Sequence, residues 1–100
     1  MRLYDLARVI RSKNAGPFTL TVDLFFSDAD KFKTVMDSPA FEKQKIASLY
    51  NVSGDEVQIH PFAEILAIKI TMPRTISSGA PGDLDVYGSQ QHFPLGDIEI

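Results

Sequence analysis

The feature that most constrains this chain is a period-two run over residues 18–26. Phe18, Leu20, Val22, Leu24 and Phe26 alternate with Thr19, Thr21, Asp23 and Phe25, and an extended backbone sends such alternate residues to opposite faces. The stretch is a strand with one strongly apolar face, and that face needs a covering layer. Phe25 puts an aromatic ring on the second face, which the N-terminal element, the tail or another subunit is expected to hide.

Upstream, Leu3, Leu6, Ala7 and Ile10 fall at helical spacing, with Arg2, Asp5 and Arg8 on the other side; a short strand through residues 8–11 fits nearly as well. Pro17 lacks an amide donor and biases Gly16 away from helical angles, so either element ends there and the polar stretch from Arg11 reads as a loop. Downstream, Ser27 and Asp30 resemble a capping box ahead of Phe32, Val35 and Met36, predicting a helix of about three turns. Ser38-Pro39 reads as the cap and first position of a second helix reaching about Tyr50. Its apolar face uses Phe41, Ile46, Leu49 and Tyr50.

After the turn composition of residues 51–55, residues 56–62 and 65–72 read as two strands. Leu66, Ile68, Ile70 and Met72 share one face, while Ile65, Ala67 and Thr71 favour a central strand covered on both sides. Lys69 is the exception: its stem lies along apolar surface with the amine in water, or it points into a site. Residues 74–95 hold Gly79, Pro81, Gly82, Gly88 and Pro94 with neither period, and loops of that length are commonly functional or interfacial. Ile98 and Ile100 alternate in what reads as a terminal edge strand.

A strand, two helices and a strand hairpin predict a right-handed crossover with a helical layer on one sheet face. The expected class is α+β: a ferredoxin-like two-layer sandwich with a mainly antiparallel sheet, two helices on one face and an extended C-terminal tail. At 100 residues the chain suits one domain and one core, with the core at about 1–73, the tail at 74–95 and the terminal strand at 96–100. A net charge of -3 argues against nucleic acid as partner. The chain has no cysteine, which removes disulfides, thiolate nucleophiles and thiolate metal sites. No signal peptide or spanning helix is read, so a soluble, cytoplasmic protein is expected.

Two polar stretches carry candidate chemistry. In the first, which also holds the Ser12 hydroxyl, Arg11, Lys13 and Asn14 form a set suited to clamping a carboxylate or phosphate, Arg11 supplying a bidentate fork and the Asn14-Ala15-Gly16 turn exposed backbone amides; the alternative is a solvated turn. In the second, Asp83, Asp85, Tyr87, Gln90, Gln91 and His92 follow Gly82 within ten residues, types that serve as acid and base or cation ligands. Gln is a weak metal ligand and no His-Glu-x-x-His set accompanies it, so a tail docked on its own or a neighbouring subunit is favoured over a metal site. His60, beside Pro61, reads as a structural histidine. With no nucleophile elbow, phosphate-binding glycine loop or dinucleotide fingerprint, no reaction is identified and no cofactor is expected.

Three stretches together carry a resemblance: Leu3-Tyr4-Asp5-Leu6-Ala7, the run from Ile10 to Phe18, and the run from Ser78 to His92. Over essentially the whole chain they resemble the small family known as domain of unknown function 4387, whose signature implies Arg11, Ser12, Lys13, Asn14, Asp83, Asp85, Tyr87, Gln90, Gln91 and His92 as site residues. More distantly, the chain is similar to the small ferredoxin-fold domain associated with acyclic-terpene-utilisation proteins of the AtuA type. There an Arg-Ser-polar-Lys turn also follows the first element, although Lys13 and Asn14 here stand where that relative has a glycine and an acid. The resemblance implies an accessory subunit without catalysis of its own, a homo-oligomer or partner of an AtuA-type protein acting on acyl or acyl-CoA substrates. The alternative is a small ligand-binding domain or enzyme that joins residues 11–14 to 83–92 around a small anionic or acyl-CoA ligand.

Overall fold

A computed structural model describes residues 1–14, 18–73 and 93–100. Four antiparallel strands, β1 (Val9–Asn14), β2 (Thr19–Phe25), β3 (Gln58–Phe62) and β4 (Ala67–Pro73), form one sheet in the order β1-β2-β4-β3. The helices are α1 (Leu3–Leu6), α2 (Ala29–Asp37), α3 (Lys43–Tyr50) and α4 (Phe93–Gly96). The fold is α+β, as the element order predicts.

The period-two run becomes the centre of the sheet. Leu20, Val22 and Leu24 are at most 1% exposed, and they meet Ile68, Ile70 and Met72 of β4 in one cluster with Leu3, Leu6, Val35, Ile46 and Leu95 from the helices. Phe26 continues the buried face just past β2 and stacks edge-on to Phe32 at 6.0 Å. Phe18 lies before the strand and is exposed, so the apolar face begins one step later than the alternation suggests.

Both readings of the N-terminus are realised in succession. A single helical turn buries Leu3 and Leu6, and the chain then enters β1 at Val9. The expected loop from Arg11 is instead strand as far as Asn14, because residues 9–14 pair residue for residue with β2, Val9 opposite Phe25 through Asn14 opposite Leu20. Ladder bonds satisfy backbone groups that a loop would leave to water. The polar composition hid an alternation in which partly buried Ile10 and buried Ser12 face the core while Arg11 and Lys13 face outward.

Cap positions also shift from those expected. Asp28, not Ser27, caps α2, its Oδ1 accepting the Lys31 amide at 2.8 Å. Ser38 ends α2 rather than opening α3, although its hydroxyl oxygen accepts the Ala40 amide at 3.2 Å. The second helix therefore starts at Lys43 behind Glu42, whose carboxylate accepts the Gln44 amide at 3.0 Å. Phe41 is buried ahead of it, and Leu49 is exposed rather than part of the apolar face. Asn51 closes α3 in the left-handed region at φ 57°, which Asn tolerates better than most residues.

The chain ends are fastened together. The Leu3 amide donates to the Ile98 carbonyl at 2.8 Å and the Ile100 amide to the Met1 carbonyl at 2.9 Å. Where a terminal strand over 96–100 was expected, there is one isolated bridge between Arg2 and Glu99. Leu95 is fully buried, and its backbone hydrogen-bonds the Tyr50 phenol. Among the described residues no helix is long and apolar enough to cross a membrane.

Two outcomes follow for stability. Ile70→Ala in β4, at a fully buried position, should cost about 2–5 kcal/mol in urea unfolding, whereas Leu49→Ala should change it by no more than about 0.5 kcal/mol. Burial pushes the Tyr50 phenol above its ordinary value, outweighing the Leu95 hydrogen bond that pulls it down. The unfolded phenol therefore ionises first, and this stabilisation is complete below about pH 10 and lost as pH rises beyond it. Urea stability above that pH should fall more steeply for the parent than for Tyr50→Phe; equal slopes would contradict the buried placement.

Candidate functional site

With the helices packed on one sheet face, the opposite face is built from the alternate residues of the same strands. Register gives it an ordered grid. One row crosses all four strands as Arg11, Asp23, Lys69 and His60. A second row reads Val9, Phe25, Ala67 and Phe62, and a third Lys13, Thr21, Thr71 and Gln58.

Asp23 sits at the middle of this grid, opposite both Arg11 and Lys69. It is 7% exposed, on an inner strand with the Arg11 side chain of β1 against it. The Arg11 Nε is 3.5 Å from the Asp23 Oδ2, and the guanidinium lies over the Phe25 ring at 5.3 Å from its centre. Both contacts hold the cation in place, one by charge and one by the ring face. Lys13 and Lys69 have no ion-pair partner among the described residues. His60 is exposed and shares a hydrogen bond of 3.2 Å with the Gln58 side chain.

These residues border a groove of about 290 Å³ whose walls include Arg11, Lys13, Asp23, Phe25, Phe62 and Lys69. Ile65, next to Phe62, adds an exposed apolar rim. Cations, one carboxylate and apolar walls in one concavity suit an amphipathic anion. Among the described residues no group of three or more His, Asp or Glu is placed to hold a metal ion.

Of the residues expected at a site, Arg11 and Lys13 reach this groove together. Ser12 lies on the core face, buried and opposite Val22, and Asn14 ends β1 opposite Leu20. Asp83, Asp85, Tyr87, Gln90, Gln91 and His92 lie outside the described residues. Sequence reasoning missed Asp23, whose signal was a lone acid inside an alternating strand. Lys69, the one cation in an otherwise apolar strand, lines the groove.

Fold and site together define a small α+β domain with a covered apolar sheet face and a polar, cation-bearing one. The chain belongs to the family described as Domain of unknown function (DUF4387), whose profile matches residues 3–99. No curated protein and no solved structure matches the chain.

The Arg11 and Asp23 contact is testable without a ligand. A double-mutant cycle with Arg11→Ala and Asp23→Ala should give a coupling of about 0.2–1 kcal/mol, since the cation is exposed. That coupling should shrink on raising salt from 0.1 M to 1 M, estimated from screening lengths of about 10 Å and 3 Å. Zero coupling at low salt would contradict the pairing.

Proposed function

We propose that the protein is an accessory binding subunit. It packs against a larger partner of the AtuA type that acts on acyl or acyl-CoA substrates, and turns its open sheet face toward that partner and the charged part of its substrate. The observation that carries this reading is the sidedness of the sheet. The apolar face is consumed by the helices, while the other offers Arg11, Lys13 and Lys69 beside the exposed rings and side chains of Phe62 and Ile65. An exposed patch that mixes apolar and cationic groups is the composition of a recognition surface.

The sheet also supports a reading as a variant of the ferredoxin-like plan. Strand β2 runs antiparallel to β4, and β4 antiparallel to β3, so β2 and β3 are parallel with β4 inserted between them. That is a split strand-helix-strand unit, here with two helices in the crossover.

The test is co-expression with an AtuA-type protein. The two should co-purify, and reversal of the open face in Lys13→Glu/Lys69→Glu should weaken the complex by at least about tenfold, as expected for charges at an interface. Reversal on the helical side in Lys31→Glu/Lys33→Glu should leave it intact. Two separate monodisperse species, or loss only with the helical pair, would overturn the proposal.

A further inference from the structure

We infer that the groove over β1, β2 and β4 is a phosphate site, taking a phosphomonoester on a small apolar body between Arg11, Lys13 and Lys69. This deepens the reading above and rests on the open face being the working surface.

Charge selects the anion. Arg11, Lys13 and Lys69 against Asp23 leave the groove with a formal charge of +2, inside a chain whose net charge is -3. A phosphomonoester carries close to two negative charges at neutral pH, roughly -1.5 to -2, and matches that surplus. A carboxylate, with a single charge, leaves half of it uncompensated. Asp23 sets this balance: buried and opposite two cations, it keeps the groove from the larger charge that three cations alone would give.

Geometry agrees with the charge. Arg11 and Lys13 are alternate residues of one strand, roughly 7 Å apart along β1, and Lys69 lies two strands away at roughly 10 Å. Arginine and lysine side chains are long enough to span such a triangle and meet at one tetrahedral group above β2. The Arg11 Nε faces Asp23 and the guanidinium is seated on Phe25, so its two terminal nitrogens are left to grip phosphate oxygens as a fork. The body of the ligand then lies along Ala67, Phe62 and Ile65. At about 290 Å³ the groove stands at the small end of ligand sites, which run from about 300 to 1,000 Å³.

The experiment is an amide NMR titration of the full chain with hexyl phosphate and, separately, hexanoate. Hexyl phosphate should shift the amides of Arg11, Lys13 and Lys69 saturably and bind about tenfold or more tightly than hexanoate. Lys69→Gln and Lys13→Gln should each weaken it by about tenfold, the loss of one charge-assisted hydrogen bond, with the rest of the spectrum unchanged. Equal affinity for hexanoate, or no saturable shift at those amides, would overturn the site. If hexyl phosphate fails while Lys13→Glu/Lys69→Glu still breaks the partner complex, this inference falls and the accessory reading stands. If hexyl phosphate binds and the complex survives that reversal, the accessory reading falls and the phosphate site stands.

Discussion

Everything else in this protein depends on β2 being an inner strand with both faces committed. Its partners in register are β1 on one side and β4 on the other, and a slip of one residue would exchange Leu20, Val22 and Leu24 for Thr21, Asp23 and Phe25 at the helical layer. That exchange would bury a carboxylate against the core and expose three large aliphatic chains. The hydrophobic effect fixes the register, at about 25 cal/mol per Å² of apolar surface removed from water. The register in turn fixes the polar grid on the far side.

The face left open among the described residues is thus a consequence of packing on the closed one. Nothing local brings Arg11, Lys69 and His60 together: they come from three strands spread between residues 11 and 69. They share a row because their apolar neighbours in sequence share the core. The cost of burying the Asp23 carboxylate on an inner strand is offset in part by the Arg11 cation beside it, which is itself 62% exposed. The same exposure leaves the cation available to a ligand.

The fold class and most elements were legible because they rest on periodicity: β2, the inward face of α2, and the hairpin of β3 and β4. What failed had a local reason. Arg11, Ser12, Lys13 and Asn14 look like a loop by composition, yet ladder pairing with β2 overrides composition, and Ser12 is small enough to sit buried within a strand. Ser27 and Ser38 are good caps that lost to Asp28 and Glu42, one and four residues further on. Arg11 and Lys13, half of the first candidate stretch, were legible as outward cations, and both line the groove. The role of Asp23 was not legible, because its significance lies in neighbours that only the sheet supplies. Lys69, an isolated cation in an apolar strand, was the sequence's clearest trace of the second face.

The central claim is that this protein works through the sheet face opposite its helices, and its lysines report on that directly. Lys13 and Lys69 stand on the open face, while Lys31, Lys33, Lys43 and Lys45 stand on α2 and α3. Acylation rates of all six, measured by mass spectrometry on the protein alone and in its partner complex, separate the two sides. Selective protection of Lys13 and Lys69, with the helical four unchanged, is the predicted result. Protection of the helical lysines with Lys13 and Lys69 as reactive as before would contradict it.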